Sequence, residues 1–437
     1  MLKEIVFLYI FRYNCFMKNM GDEMRKILAS IDVGSDLIKL VVGEVSKNGK
    51  VNILAAAHVP SLGIKKGFVV NPQALLPKLE EVFNKCEDMI GLRIDKVVLS
   101  VPSDNAEFFL TEGSTTINND EHMIKEADVI RAMQASTYNK INENREIVSI
   151  KPTGYFIDDE RSTQNPVGQE AVKLTVKSLV VTVPKKNVYT LEKCLEKIGV
   201  KVIDYSVGPV GDYYEFRKEM MKEVVGVIIN IGYMTTTVSI FNKGLLTNTI
   251  TIDTGAYYIE TDLSYIFKLT LNTAKDVKLN LASAHKRGVS ASIKKKYQTK
   301  NNEIVDISEY EATEVASSRV EEILKLAKKQ INLLTKKEIH YIMITGGVSE
   351  MPNFNLLLEE VFGHSAKIGQ TKEIGVRSNI YSSSVGLIKY YEEKLRIRNQ
   401  EFSIFNENEI ESLGSAPKKS FGDNSILGKL FGYFFDN

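Results

Sequence analysis

Short apolar runs of strand character open the chain, and the same order of elements returns in its second half. KILASIDV (26–33) and LIKLVVGEV (37–45) read as two strands joined by Gly34-Ser35-Asp36. Residues 51–60 and 64–70 extend the strand-rich stretch around a turn at Gly63. Leu75, Leu76, Leu79, Val82 and Phe83 then fall at helical spacing and predict a helix over 73–90. A strand over 96–102, a polar-faced helix over 121–142, strands within 146–158 and 171–184, a helix over 186–198 and a strand over 200–207 complete this half.

The second half starts again with strand, turn and strand, at 223–232 and 236–244. Helices are predicted over 256–269 and 273–284, followed by a lysine-rich hairpin and a long amphipathic helix over 309–334. HYIMITGGVSEM (340–351) is a strand that ends on a double glycine, with a helix over 353–362 behind it. Residues 393–424 are polar and read as a flexible linker. The recurrence predicts two α/β halves facing each other across a cleft, and ligands favour such junctions.

Composition narrows the function. Lys and Arg number 56 against 55 Asp and Glu, so a general nucleic-acid binder, which needs a basic excess, is disfavoured. Cys15, Cys86 and Cys194 share no motif spacing, and the five histidines are scattered. That argues against a disulfide scaffold and against an imidazole or thiolate metal site. No run of about 18 apolar residues occurs to cross a bilayer as a helix. The apolar run Ile5–Phe11 is too short to span. Met24 reads as the translation start, with Met17 and Met20 as other candidates and a signal peptide as the alternative.

Three turns carry candidate chemistry, each at the end of an apolar strand. Asp32-Val33-Gly34-Ser35 offers close backbone approach, an amide and a hydroxyl to a phosphate, and the Asp32 carboxylate suits Mg²⁺ held through water. The second turn runs Asn230-Ile231-Gly232-Tyr233-Met234-Thr235-Thr236-Thr237. At the third, Thr345-Gly346-Gly347-Val348-Ser349, two glycines leave room for an adenosine against the backbone. An ordinary hairpin accounts for any one of them; three in this order point to a nucleotide site.

At these turns the sequence resembles the actin, sugar kinase and heat-shock chaperone superfamily, and residues 179–209 resemble the central strand, helix and strand of its first domain. From Arg25 onward it is similar to the FtsA family. SLGIKKGFVVNP (61–72), IKPTGYFIDDERSTQNPVGQEAVKLTV (150–176), DTGAYYIETDL (253–263), AKDVK (274–278) and YSSSVGL (381–387) carry that likeness. It implies an actin-like α/β ATPase fold of two facing halves with an inserted subdomain 1C of strand-helix-strand-strand order. The implied division is an N-terminal extension 1–24, subdomain 1A over 25–94, 1C over 95–176, 1A again over 177–207, 2A over 208–255, 2B over 256–318, 2A over 319–380, a closing helix over 381–392, and the linker 393–424. Nucleotide contacts carried over are Gly34, Ser35, Gly232, Tyr233, Thr235, Thr236, Lys278, Gly346, Gly347 and Val348, with Asp32 and Asn230 at the metal.

The second turn departs from the family's Asp-x-Gly-Gly-Gly-Thr/Ser-Thr: Asn230 replaces the Asp, and Tyr233 and Met234 replace two glycines. Lys275 stands where related folds often place a ribose-binding Glu, which makes Lys278 the expected adenosine contact. ATP binding is thus expected with turnover slow or absent, and Asn230→Asp is expected to raise phosphate release.

The resemblance further implies filament formation, binding of the FtsZ C-terminal peptide on 256–318, recruitment of later division proteins, and a place on the cytoplasmic face of the membrane at the septum. Lys294-Lys295-Lys296 is either a solvated hairpin or a basic surface for an acidic FtsZ tail. In residues 425–437, Ile426, Leu427, Leu430, Phe431, Phe434 and Phe435 gather on one helical arc, which predicts an interfacial membrane helix; docking on the protein's own core is the alternative. Another actin-like assembly protein, such as the type IV pilus protein PilM, or a small-molecule kinase are the competing readings.

Overall fold

The computed structural model describes residues 25–415 apart from Lys47. The first sheet is built from β1 (Lys26–Val33), β2 (Leu37–Val45) and β3 (Val51–Pro60), an antiparallel meander. Helix α1 (Pro72–Ile90) covers it, started by Pro72 in the first turn and by the Asn71 side chain accepting from the Ala74 amide at 3.2 Å. It buries Leu75, Leu79, Val82 and Phe83, each fully buried apolar side chain contributing about 1.5–3 kcal/mol. Strand β4 (Lys96–Val101) returns beside β1 in parallel.

The chain then leaves for a separate four-stranded sheet. β5 (Glu107–Thr116), helix α2 (Glu126–Thr137), β6 (Arg145–Ile157), the short β7 (Arg161–Thr163) and β8 (Lys173–Pro184) form it in the order β5-β8-β6-β7, around a small core that includes Leu174 and Val176. This is the expected strand-helix-strand-strand unit with one added edge strand. Its limits differ from 95–176, because β4 belongs to the first sheet and β8 runs on to Pro184. Helix α2 is shorter than 121–142. Asp128 accepts from the Lys125 amide at 2.8 Å and fixes its start, and Asn139 beyond it takes a positive φ of 54°.

Helix α3 (Lys185–Lys197) and β9 (Lys201–Val207) finish the first half, whose sheet reads β9-β4-β1-β2-β3. Helix α4 (Gly208–Phe216) then carries the chain across to the second half. There β10 (Val225–Ile231), β11 (Thr236–Asn242) and β12 (Leu245–Ile252) repeat the meander. Helices α5 (Ala256–Ile266) and α6 (Leu271–Asn280) and the hairpin of β13 (Lys294–Gln298) with β14 (Ile304–Ser308) come next. The lysines 294–296 are solvent-exposed on that hairpin.

Helix α7 (Glu309–Leu334) begins in a reciprocal cap, Ser308 accepting from the Glu311 amide at 3.2 Å and Glu311 from the Ser308 amide at 2.9 Å. Its buried stripe, from Ala312 to Ile331, seats it in the second core. β15 (Tyr341–Thr345), α8 (Phe354–Phe362) and β16 (Ala366–Ile368) complete a sheet ordered β12-β11-β10-β15-β16. Three antiparallel strands followed by two parallel neighbours is the plan of the first sheet as well. The predicted repeat is therefore one of topology.

Helix α9 (Ser382–Ile397) brings the chain back and crosses α4. The crossing is close enough that a Cβ on Gly386 would lie 1.7 Å from the Gly211 carbonyl oxygen, and one on Gly211 2.3 Å from that of Ser383. Among the described residues these two helices are the two passages of the chain between the halves. The expected linker from 393 is corrected here: α9 continues to Ile397, Ile404 and Phe405 are buried in the first core, and the Ile404 amide donates to the Ile27 carbonyl at 2.9 Å. Helix α10 (Glu407–Ser415) follows, with Ile410 buried. The expected extension 1–24 with Cys15, the remainder 416–424 of the expected linker and the tail 425–437 lie outside the described residues.

A half-buried ion cluster ties the inserted sheet to the crossing helices. Glu393 on α9 accepts from Arg217 at 2.6 Å and from the Tyr214 hydroxyl at 2.5 Å, with Lys151 of β6 at 3.5 Å. Burial pushes the Glu393 carboxyl up, but Lys151 and Arg217, with hydrogen bonds from Tyr214 and Arg217, outweigh it and hold it at about 2. Burial lowers Lys151 in spite of Glu393, so the nearer Arg217 is the main partner.

Because the folded value lies below the ordinary 4.5, the stabilisation is complete above about pH 5 and is lost as pH falls toward about 2. Urea unfolding across that window should show a Glu393→Gln deficit on the order of 3 kcal/mol at neutral pH that shrinks with acid. A deficit independent of pH would show that the charge is not what matters.

Candidate functional site

The two sheets face each other across a cavity of about 610 Å³, and all three predicted turns open into it. In the first, the Gly34 amide closes the turn on the Leu37 carbonyl at 3.0 Å, and Ser35 reaches the rim, its hydroxyl accepting from the Gly67 amide at 3.1 Å. In the second, the Gly232 amide donates to Thr235 at 2.9 Å. The start of α5 fastens this turn from behind, Ala256 and Tyr257 amides donating to the Gly232 and Tyr233 carbonyls at 3.0 and 2.8 Å. In the third, Gly346 has φ +91°, and a Cβ there would lie 2.4 Å from the Ile231 carbonyl oxygen and 2.7 Å from Asn230 Oδ1. Only glycine lets turns two and three touch in this way.

Of the residues expected at a nucleotide, Gly34, Ser35, Gly232, Tyr233, Thr235, Lys278, Gly346, Gly347 and Val348 all line the cavity. Thr236 is corrected: it is fully buried and donates to the Thr254 carbonyl at 2.8 Å, while Thr237 lines the cleft. Strand alternation turns neighbours to opposite faces. Lys278 is buried in an ion pair with Glu260, whose other oxygen accepts from the Tyr233 hydroxyl at 2.8 Å. The large side chain of Tyr233 is thus drawn aside onto α5 and packs edge-on to Tyr257 at 5.7 Å.

Two further ion pairs span the cleft from one half to the other, Lys275 to Asp36 at 2.6 Å and Lys66 to Asp253 at 2.6 Å. Lys275 therefore faces the first turn and lies 5.4 Å above the Tyr233 ring.

At the cleft floor Asp32 accepts from Lys39, its register partner on β2, at 2.5 Å. Asn230 occupies the same penultimate strand position in the second sheet and donates to Asp212 Oδ2 at 2.7 Å. Asp212 was missed in the sequence. It sits on α4, fully buried, and also accepts from Ser382 at 2.6 Å and Ser383 at 2.8 Å. Burial raises its carboxyl, against the hydrogen bonds from Ser382, Asn230 and Ser383. The available signal was an acidic residue inside the otherwise apolar and aromatic run GPVGDYY. Among the described residues no group of three or more His, Cys, Asp and Glu gathers as a metal cage.

Two facing α/β halves of like topology, joined by two crossing helices and opening glycine turns into one cleft, define an actin-like ATPase fold. Solved structures of that class are similar to it. The PilM-PilN type IV pilus biogenesis complex matches with TM-score 0.54 at 16% identity over 83% of this chain and 97% of that one. MreB5 of Spiroplasma citri bound to ADP matches with TM-score 0.53 at 13% identity over 86% and 98%.

Within the class, the model described as Cell division protein FtsA matches residues 227–386, and the SHS2 domain inserted in FTSA matches 105–182. The chain belongs to the FtsA family. It is 26% identical over 381 residues to Cell division protein FtsA of Bacillus subtilis (strain 168), covering 87% of this chain and 86% of that one. It is 25% identical over 419 residues to that of Borreliella burgdorferi (strain ATCC 35210 / DSM 4680 / CIP 102532 / B31), covering 94% and 98%. The inserted match begins after β4 and ends within β8, where the structure places that sheet.

Proposed function

We propose that this chain binds ATP with Mg²⁺ in the cleft and acts as a membrane-attached, polymerising adaptor of cell division. In this role it tethers FtsZ through its C-terminal peptide and recruits later division proteins. The observation that carries the reading is the convergence of three glycine turns on one cavity between two facing halves. Turns one and two offer backbone amides and hydroxyls to phosphates, and turn three offers a flat glycine face to the adenosine. Asp32 lines the floor and suits the water shell of a Mg²⁺ ion, with the Asp212 carboxylate buried directly behind Asn230. That ion would supply charge neutralisation to the phosphates. With the neutral Asn230 at the second turn, slow turnover or none is the expectation.

For the FtsZ peptide, the segment 256–318 leaves Tyr265 and Ile266 exposed on α5, at 83% and 56%. Apolar side chains held in solvent on a small subdomain favour a peptide partner. The pilus-assembly reading shares the fold, but the FtsA match favours division. The small-molecule kinase reading also shares the fold, and the FtsA match over 227–386 favours division over it.

Membrane attachment is assigned to residues 425–437, read from sequence alone. Vesicle co-sedimentation of the full chain tests both halves of the proposal. Pelleting should be strong with Mg-ATP and weak without nucleotide, because a filament presents many weak tails together. A chain ending at Asn424 should stay in the supernatant. Equal pelleting of the two chains, or no loss when Phe431 and Phe434 become Glu, would remove the tail as anchor. Pelleting indifferent to nucleotide would remove the ATP-driven filament.

A further inference from the structure

The second turn carries no acid of its own, yet a carboxylate stands against it. Asp212 comes from α4, on the passage between the halves, and its two oxygens are divided between them. Oδ1 accepts from Ser382 at 2.6 Å and Ser383 at 2.8 Å on α9, and Oδ2 accepts from Asn230 at 2.7 Å on β10. Two consequences for the cleft follow from this geometry. Giving its amide hydrogens to Asp212 leaves Asn230 with Oδ1 toward Gly346, 2.7 Å from where a Cβ there would lie, so the amide is wedged between turns two and three. Ser382 in turn meets the Thr345 hydroxyl at 3.0 Å, just before the double glycine. One carboxylate therefore sets turn two directly and turn three through two routes.

We propose that Asp212 is the positioning residue of the second and third turns and the buried negative charge that stands behind Asn230 toward the cation of a bound nucleotide. This rests on the nucleotide reading above. It reverses the expectation for Asn230→Asp. A second carboxylate at 230 would face Oδ2 of Asp212 at hydrogen-bond distance inside a buried pocket, where two like charges repel strongly. The change would add a conflict rather than restore a function. Exchanging the two residues, Asp212→Asn with Asn230→Asp, keeps one acid and one amide. The amide at 212 then donates to the carboxylate at 230 and accepts from Ser382 and Ser383.

The test is a four-member cycle of wild type, both single variants and the exchange, measured two ways. Without nucleotide, Asn230→Asp should lower the melting temperature by about 5 °C or more, and the exchange should recover it. With nucleotide, calorimetry gives each protein's affinity for Mg-ATP and for ATP in EDTA. The ratio of the two should fall about tenfold in Asp212→Asn, the usual scale for a group one layer behind a metal site, and return in the exchange.

A melting loss from Asn230→Asp that is the same with Asn at 212 overturns the pairing. A Mg²⁺ ratio unchanged in Asp212→Asn, or not restored by the exchange, overturns the cation role. If wild type takes up neither form of ATP, the nucleotide reading and the cation role both fall, while the melting cycle still decides the pairing.

Discussion

Replacing Gly386 by valine is expected to cost about 3 kcal/mol or more of stability, at the top of the usual range for overpacking. Glycine within a helix costs about 1 kcal/mol relative to alanine, so its presence in the second turn of α9 calls for a reason. The reason is contact. A Cβ there would lie 1.7 Å from the Gly211 carbonyl oxygen, 2.5 Å from its carbon and 3.0 Å from the Glu215 nitrogen. All three are backbone atoms of α4 and cannot rotate away. The helices would have to separate, opening the first core around Val385 and Leu387 and dragging Asp212 from Ser382 and Ser383. Urea denaturation of the full chain measures this. A midpoint within experimental error of wild type would mean that the crossing is looser than described.

Gly346→Asp should lower Mg-ATP affinity by about a hundredfold or more, roughly 2.7 kcal/mol. Two causes add. At φ +91° any side chain is strained, and its Cβ would strike Ile231 and Asn230 of the second turn. A carboxylate would also stand where phosphates and adenosine are expected. Gly347→Asp separates these effects, since its Cβ would meet only Ile380 Cγ2 at an ordinary 3.6 Å. Calorimetry on both variants, with a melting curve to confirm folding, reads the outcome. Unchanged affinity in a folded Gly346→Asp protein would remove the third turn from the nucleotide site.

Much of this architecture is legible from local pattern. Strands such as 26–33 and 225–231 announce themselves because buried strands need continuous apolar runs, and the glycine turns stand at their ends. Long-range placement is not local. Asp212 gains its meaning only when α4 crosses α9, bringing residues 212, 230 and 382 together across 170 positions of chain. Residues 402–413 look like a linker by composition, since Ile404, Phe405 and Ile410 are few among polar neighbours; their burial depends on the free end of β1 lying nearby. The error at Thr236 was one of phase, where a single-residue shift along a strand moves a side chain from cleft to core. The boundary at 95 failed because an apolar strand does not declare which sheet it joins.

Lys66–Asp253 and Lys275–Asp36 give the mouth of the cleft a character unlike its back. The back is held by backbone in contact with backbone, which salt does not loosen. The mouth is held by charges that water reaches, and ions screen such pairs. Added salt would therefore loosen the mouth and leave the back as it is.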